Sequence, residues 1–483
     1  MSKIIQIKTF LEQYKFLLIF DVILADLGIS FLFISNVSTW FLGFFFLTIV
    51  QLILHIYYLY KLEHKIITFP IIFFLLSYVF TFGHISIQAF NFDFGTNVLF
   101  PLWYINFNIY KEAAIFSFIT QMTLFFGVYF FFVYKNKSDR NKENVKTSGL
   151  FQIPLRWIRM IGVICFLIGI VPTLYIDISR LLLFIQGGYL NTYNLNVHDF
   201  VEIIANFFNF SIFSLVIGFS NNKKVANSIF ISAVIYKVIM MSSGGRGEAI
   251  VFLLGLFIVW ENLVMQLSAK QIIVLIVIGY LGLVLLNFIA TVRTITTLNI
   301  TDISQVFLQS LTNNQLVSAL SEFGSTFATV CFTMNSKPGP TLGLNYILPI
   351  ILIIPNIGGF NSGVVDHMIF TKHIETFNQP IGGSYIGELF YSFHWFGCLF
   401  AIFLGILIGY IYYKTVIKKQ DEKNYFSYLL FSYITPLLFF WIRGYFGAIY
   451  REYIWHCGLA IILIVIGRYL QKKRKKGEIR WLH

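Results

Sequence analysis

The chain has 483 residues, of which 57% are hydrophobic and 12% are charged. Soluble domains carry about 25% charged residues, so this composition excludes a soluble globule and indicates a polytopic membrane protein. The formal net charge is +13, but the lysines and arginines fall in short segments between apolar runs. This arrangement argues against nucleic-acid binding and fits the positive-inside pattern of membrane proteins.

Apolar runs of spanning length follow one another along the chain. The first, Phe16 to Ile34, carries Asp21 and Asp26 but no small-residue cleavage pattern, so we expect a retained first span and not a cleaved signal peptide. Because a span needs about 20 apolar residues, the chain predicts about twelve spans. They begin near Phe16, Trp40, Ile66, Ala113, Trp157, Val201, Val225, Ala249, Gln271, Tyr385, Tyr425 and Tyr453.

The expected fold is an all-α transmembrane helical bundle that forms a single integral membrane domain over residues 1–483. Cytoplasmic N- and C-termini place 26 of the 35 lysines and arginines on the cytoplasmic side. The longest connection, near residues 294–384, is then external. Within it, Asn313 to Met334 repeats apolar residues at helical spacing and predicts an amphipathic helix against the bundle. Leu344 to Ile354 is apolar but interrupted by Pro349, which predicts a re-entrant or interfacial segment.

Arginines are scarce on the predicted external side. Four of them fall at the outer ends of spans, namely Arg246, Arg293, Arg443 and Arg451. Cations that are half buried at a membrane surface are costly unless a ligand or a partner compensates them. We therefore expect the bundle to gather these four arginines around one pocket that takes an anion.

Three predicted spans begin on the external side next to glycine or arginine. Gly244, Gly245, Arg246 and Gly247 precede one span, Gly382, Gly383 and Ser384 precede another, and Arg443 and Arg451 flank the start of the last. Helix N-termini bind phosphate through free N–H groups and the positive end of the helix dipole. Glycine lets a phosphate approach the backbone, and arginine offers a fork of donors that matches its oxygens. The pattern predicts a pyrophosphate site; a tight turn in which Arg246 pairs with Glu248 is the alternative.

The external acids and histidines are the candidates for acid and base chemistry: Glu248, Glu322, Asp366, His367, His373, Glu375 and Glu388. Glu388 lies about one helical turn after Ser384, at the start of a span, so it is the preferred general base. An ion pair with an outer arginine is its alternative role. The external loops lack a closely spaced acidic pair and the four cysteines are scattered, so no metal site is expected.

Two motifs carry a resemblance to a known family. SSGGRGEAI from Ser242 and GGSYIGELFYSFHWFG from Gly382 are similar to segments of the Wzy-type polysaccharide repeat-unit polymerases that build O-antigen and capsule, over roughly Val225 to Tyr412. The resemblance implies a multi-pass glycosyltransferase of the bacterial inner or plasma membrane, with a long external loop late in the chain. It implies transfer of a growing glycan from polyprenyl pyrophosphate to a hydroxyl of a lipid-linked repeat unit at the outer leaflet.

The same resemblance bears on cofactors, partners and site residues. It implies metal-independent transfer without a cofactor, and its expected partners are polyprenyl-pyrophosphate-linked oligosaccharides, the lipid bilayer, a chain-length regulator and a flippase. Some family members also carry external loops with an arginine and a glycine at a fixed spacing, which does not follow Arg180, Arg246 or Arg293 here. The predicted catalytic residues are Arg246, Glu388 and Arg293. The predicted substrate contacts are Gly244, Gly245, Gly247, Gly382, Gly383, Ser384, Arg443 and Arg451.

Two other functions stay open at this point. A lipid-linked oligosaccharide flippase or another transporter would also be basic and polytopic, but it should show repeated halves and ionisable residues near the middle of the membrane. The sequence shows no convincing repeat. A metal-dependent membrane glycosyltransferase that uses a monosaccharide polyprenyl phosphate should carry an acidic pair in its first external loop, and this chain does not.

Overall fold

A computed structural model of the protein describes residues 2–91, 99–140, 153–195, 197–241, 246–292, 315–354, 362–379, 381–415 and 425–475. Within these ranges the chain forms α-helices and short 3-10 helices, with no β-strand. The first part of the chain forms α1 (Ser2–Ser30), α2 (Val37–Glu63), α3 (Phe69–Ala89), α4 (Phe107–Arg140), α5 (Leu155–Asn191), α6 (Asp199–Gly218), α7 (Lys223–Met241), α8 (Arg246–Leu263) and α9 (Ala269–Val292). The rest forms α10 (Gln315–Gly324), α11 (Phe327–Ser336), α12 (Leu344–Ile347), α13 (Ser362–Met368), α14 (Tyr385–Phe393), α15 (Gly397–Thr415), α16 (Tyr425–Trp441) and α17 (Gly447–Lys475).

The helices confirm the predicted multi-pass membrane bundle. Among the described residues, ten stretches are long and apolar enough to cross a membrane, and all but one coincide with a predicted span. The remaining predicted spans correspond to α8, α9 and α16. On α9, Ile273, Val274 and Val277 are each more than half exposed, as expected for side chains that face lipid instead of water.

The predicted amphipathic segment forms two helices with different surroundings. α10 packs on α3 and α9 and is amphipathic as predicted, with Val317 buried and Glu322 exposed. α11 differs from the expectation of a helix on the bundle surface, because every residue from Phe327 to Met334 is buried. Its polar residues satisfy their hydrogen bonds inside the core: Thr329 Oγ1 donates to the carbonyl of Gly382 at 2.9 Å, and Thr333 Oγ1 donates to the carbonyl of Thr329 at 2.6 Å.

The segment predicted to be re-entrant or interfacial, Leu344 to Ile354, is short. It consists of α12 and a 3-10 helix at Leu348–Ile353 that packs on α17. Trp455 of α17 donates from Nε1 to the carbonyl of Ile353 at 2.6 Å, which fixes the end of the segment to the bundle. Its length and its proline fit the predicted re-entrant or interfacial segment and not a full crossing.

Two hydrophobic clusters hold the bundle together. The first collects side chains from α1 to α4, α11, α14 and α15, and the second from α5 to α7. α8, α16 and α17 contribute to both clusters and so join the two halves. α4 and α15 pack backbone to backbone at Gly127 and Gly405. A side chain at either position would overlap the facing helix, so glycine is what allows this close approach.

Candidate functional site

The charged and polar residues of the candidate site lie at one end of the helical bundle. Short connections join α6 to α7, α7 to α8, and α16 to α17, so these helices alternate in direction. The starts of α6, α8 and α17 therefore lie at the same end as the ends of α5, α7 and α16. Two polar groups occupy this end: a buried network around Glu388 and an open charged cavity.

Glu388 lies in the first turn of α14 and is fully buried. Its carboxylate accepts three hydrogen bonds: from Asn345 Nδ2 to Oε1 at 3.1 Å, from Trp441 Nε1 to Oε2 at 2.6 Å and from the backbone N–H of Phe446 to Oε2 at 3.1 Å. These donors come from α12, from the last residue of α16 and from the residue before α17. The carboxylate therefore ties four separate segments together.

The same carboxylate occupies the start of α17. Phe446 directly precedes that helix, and its N–H would otherwise be one of the unpaired donors of a helix N-terminus. A negative charge in this position is also favoured by the helix dipole. The helix start that the sequence offers to a phosphate is thus filled by the protein's own Glu388.

The glycines before α14 are used in close packing. A side chain on Gly383 would overlap the carbonyl of Gly444, whereas a Cβ at Gly382 would meet the carbonyl oxygen of Arg443 at 3.4 Å. Ser384 caps α14 by accepting from the N–H of Gly387 at 3.4 Å. Gly383 and Ser384 are buried, but Gly382 and Arg443 are exposed side by side. An anion could reach this exposed pair, and it could not reach the buried helix start.

An open cavity lies among α5, α6, α7, α8, α16 and α17, and its volume is about 200 Å³. We call it the charged cavity, because ionisable side chains line it: Asp177, Arg180, Glu202, Lys237, Glu248 and Glu452. Glu202 and Glu248 are exposed, and Tyr433 is buried. The cavity therefore has a rim of acids and a floor on α16.

Several of these side chains have partners. Asp177 accepts a hydrogen bond from the hydroxyl of Tyr236, and Arg451 Nη2 lies 3.6 Å from Glu202 Oε2. Lys237 lies over the ring of Phe252, with Nζ 4.8 Å from the ring centroid. The cavity thus combines cations, carboxylates and amides, a set that can donate to and accept from the hydroxyls of a sugar as well as neutralise an anion.

Comparison with known proteins assigns the chain. The family model for the O-antigen polysaccharide polymerase Wzy matches residues 16–475, nearly the whole chain. The chain belongs to this family. Neither the curated proteins nor the solved structures include a significant match. The protein is therefore a polysaccharide repeat-unit polymerase, an enzyme that acts on lipid-linked repeat units in the membrane.

The structure of this Wzy polymerase brings together only some of the predicted site residues. Gly382, Gly383, Ser384, Glu388 and Arg443 form one group, as described above. Arg451 belongs to the charged cavity through its pair with Glu202. Arg443 and Arg451, which were expected to share one pocket, therefore lie in different groups, and Arg451 has a carboxylate partner within the protein.

The remaining predicted residues concern the start of α8 and the chain after α9. Arg246 is the first residue of α8, its side chain lies outside the described part of the chain, and Gly247 follows it in the helix. Glu248, two residues after Arg246, lines the charged cavity. Gly244, Gly245 and Arg293 lie outside the described residues.

Sequence reasoning missed part of the charged cavity of this Wzy polymerase. Asp177, Glu202 and Glu452 were not among the candidates, although each lies near the same end of a span as the outer arginines. The usable signal is an acidic residue within an apolar run, because a carboxylate inside the membrane is costly and usually has a function. Within the described ranges, no group of three or more His, Cys, Asp or Glu side chains is placed to hold a metal ion.

Proposed function

We propose that this polymerase transfers the growing glycan from polyprenyl pyrophosphate to a hydroxyl of a lipid-linked repeat unit at the outer leaflet of the bacterial cell membrane. The observation that carries the proposal is the charged cavity. It lies at one end of the bundle beside the start of α8, in a chain that belongs to the Wzy family. A transferase that joins two lipid-linked sugars needs a polar site at membrane depth that opens on one side.

The charge distribution supports the outer leaflet. Lys61, Lys223, Lys270 and Lys414 lie at the ends of helices opposite to the charged cavity. Basic residues concentrate on the cytoplasmic side of membrane proteins. This distribution supports an extracytoplasmic position for the end that carries the charged cavity, where lipid-linked repeat units are joined in this proposal.

Arginines hold the departing pyrophosphate in this proposal. Arg246 at the start of α8 and Arg293 after the end of α9 are the catalytic candidates, and exposed Arg443 beside Gly382 adds a further guanidinium group. Negative charge develops on the pyrophosphate as its bond to the sugar breaks. Fixed guanidinium groups stabilise that charge more in the transition state than in the ground state.

We assign Glu388 a positioning role in place of the general-base role. Both of its oxygens accept hydrogen bonds from protein donors, and the residue is fully buried, so an acceptor hydroxyl has no access to it in this conformation. Trp441 and Phe446, which it holds, lie within a few residues of Phe440, Ala448 and Ile449 in the cavity wall. Glu388 therefore holds the wall of the charged cavity in place without lining the cavity itself.

The experiment that tests the proposal is Arg246→Ala, compared with Lys270→Ala at the opposite end of the bundle. We expect Arg246→Ala to reduce polymer formation about 100-fold or more, the usual effect of losing one donor that stabilises developing charge. Single lipid-linked repeats should then accumulate on the outer leaflet, while Lys270→Ala keeps normal chain length. A leaflet-specific labelling assay distinguishes this result from a flippase defect, which would trap the repeats on the cytoplasmic leaflet. Normal chain length in Arg246→Ala would remove this residue from the mechanism.

A further inference from the structure

We propose that the charged cavity binds the acceptor sugar and that Glu452 is the general base that takes the proton from its attacking hydroxyl. This inference rests on the proposed transfer reaction and adds to it the residue that activates the acceptor. Glu452 lies in the second turn of α17, and its side chain lines the charged cavity.

The four acidic side chains of the cavity differ in whether their carboxylate oxygens already have hydrogen-bond or ion-pair partners. The carboxylate of Asp177 is engaged by Tyr236, and that of Glu202 by Arg451. Glu248 is exposed at the rim, where water competes with a substrate. Glu452 accepts one long hydrogen bond, from Asn206 Nδ2 to Oε1 at 3.4 Å, and in the described part of the chain its other oxygen accepts none. It is therefore the acid best placed to accept a proton.

The histidine one turn after Glu452 on α17 already has partners within the fold. His456 follows Glu452 by one helical turn and is fully buried. Its Nε2 lies 3.3 Å from the carbonyl of Ile203, and its Nδ1 lies 3.0 Å from the hydroxyl of Tyr433. Since a carbonyl only accepts, Nε2 carries the proton and Nδ1 accepts from Tyr433. Neither nitrogen is available to a substrate, and Tyr433 is held in place on the cavity floor.

The rest of the cavity suits a sugar hydroxyl. Asn206 and Asn209 line the wall with amide groups that donate and accept, and Lys237 and Arg180 supply positive charge that balances the carboxylates. Charged and titratable groups from every helix around the cavity line it together with Glu452: Asp177 and Arg180 from α5, Glu202 from α6, Lys237 from α7, Glu248 from α8 and Tyr433 from α16. Arg451 and His456 are the neighbours of Glu452 on α17.

The proposed step is a single displacement. The acceptor hydroxyl oxygen forms a bond to the anomeric carbon of the donor glycan as the bond from that carbon to the pyrophosphate oxygen breaks. The polyprenyl pyrophosphate leaves and takes the bonding electron pair with it. The hydroxyl proton passes to the carboxylate of Glu452, which later releases it to water. General-base help of this kind contributes about two to four orders of magnitude in rate.

The test compares Glu452→Gln with Glu375→Gln, an exposed carboxylate in the loop before α14 and outside the charged cavity, in the full-length protein reconstituted in vesicles with lipid-linked repeat units. Both changes replace a carboxylate by an amide of nearly the same shape, but only Glu452 lines the charged cavity. We expect Glu452→Gln to lower kcat by about 100-fold or more with KM within about threefold of the parent value. The variant should also lose the acidic limb of the pH–rate profile, whereas Glu375→Gln keeps that limb and the parent kcat.

Two further measurements make every outcome informative. Glu452→Asp keeps a carboxylate one methylene further back, so it should retain more activity than Glu452→Gln, whatever either change does to stability. A Glu452→Gln variant with kcat within fivefold of the parent, or with a raised KM and an unchanged kcat, would overturn the inference. An inactive parent protein that still binds the lipid-linked repeat unit would instead overturn the proposed transfer reaction.

Discussion

At the scale of single residues, Glu388 shows how a buried carboxylate can serve structure beside a proposed catalytic site. Burying a charge is costly unless hydrogen bonds compensate for the lost water. Here the compensation comes from three neutral donors on Asn345, Trp441 and Phe446. The charge thereby fixes the turn between α16 and α17, which carries Arg443 and leads to Arg451 and Glu452.

Glu388→Gln tests this role. Glutamine keeps one acceptor oxygen but turns an NH₂ group toward donors that need an acceptor, so we expect the free energy of unfolding to fall by about 1–3 kcal/mol. Glu375→Gln, which changes an exposed carboxylate in the loop before α14, should stay within about 0.5 kcal/mol of the parent. The midpoint of thermal unfolding in detergent measures both.

The pH–rate profile separates positioning from catalysis. If Glu388 only positions the cavity wall, kcat of Glu388→Gln falls while the shape of the profile stays that of the parent. Loss of the acidic limb in this variant, with unchanged thermal stability, would show that Glu388 is the base after all.

At the scale of elements, the approach of α14 to the turn between α16 and α17 decides how the site is assembled. Gly383 lies against the backbone of Gly444 so closely that no side chain fits between them. This contact places the start of α14 beside Arg443. The pair of glycines therefore shapes the site through packing, and only Gly382 remains exposed to a ligand.

Gly383→Ala and Gly382→Ala form a matched pair that tests the contact. The added methyl group at position 383 overlaps the carbonyl of Gly444, so we expect a loss of about 1–3 kcal/mol in unfolding free energy. At position 382 the nearest atom lies at 3.4 Å, so alanine should change stability by no more than about 1 kcal/mol. Equal unfolding midpoints for the two variants would contradict the close packing.

At the scale of the whole molecule, the charged cavity lies where the two halves of the bundle meet. α8, α16 and α17 belong to both hydrophobic clusters, and all three line the cavity. A site at such a border draws charged residues from many helices while apolar packing on either side holds them in place.

Metal dependence is a property of the complete enzyme, and we expect none. The external loops lack the closely spaced acidic pair that would clamp a divalent cation on a pyrophosphate, so arginine alone should neutralise the leaving group. Polymer formation in reconstituted vesicles should therefore remain at the parent rate in excess EDTA. Activity that disappears in EDTA and returns with magnesium or manganese would favour the metal-dependent alternative.

The sequence by itself determined the class of protein, the helical bundle and nearly all of the spans. Hydropathy is a local property, because each stretch of about 20 residues either suits the hydrocarbon core or does not. The motifs around Arg246 and Gly382 were likewise enough to reach the family. α11 was misplaced because its threonines satisfy their hydrogen bonds internally, which local polarity does not show.

Only the tertiary structure decided the partners of the charged residues. Glu388 is paired with donors 43 to 58 positions away in the chain, and Arg451 with a glutamate nearly 250 positions away. Such pairings depend on which helices become neighbours, and neighbours are chosen by packing over the whole bundle. For the same physical reason the charged cavity, which six helices share, leaves only scattered single residues in the sequence.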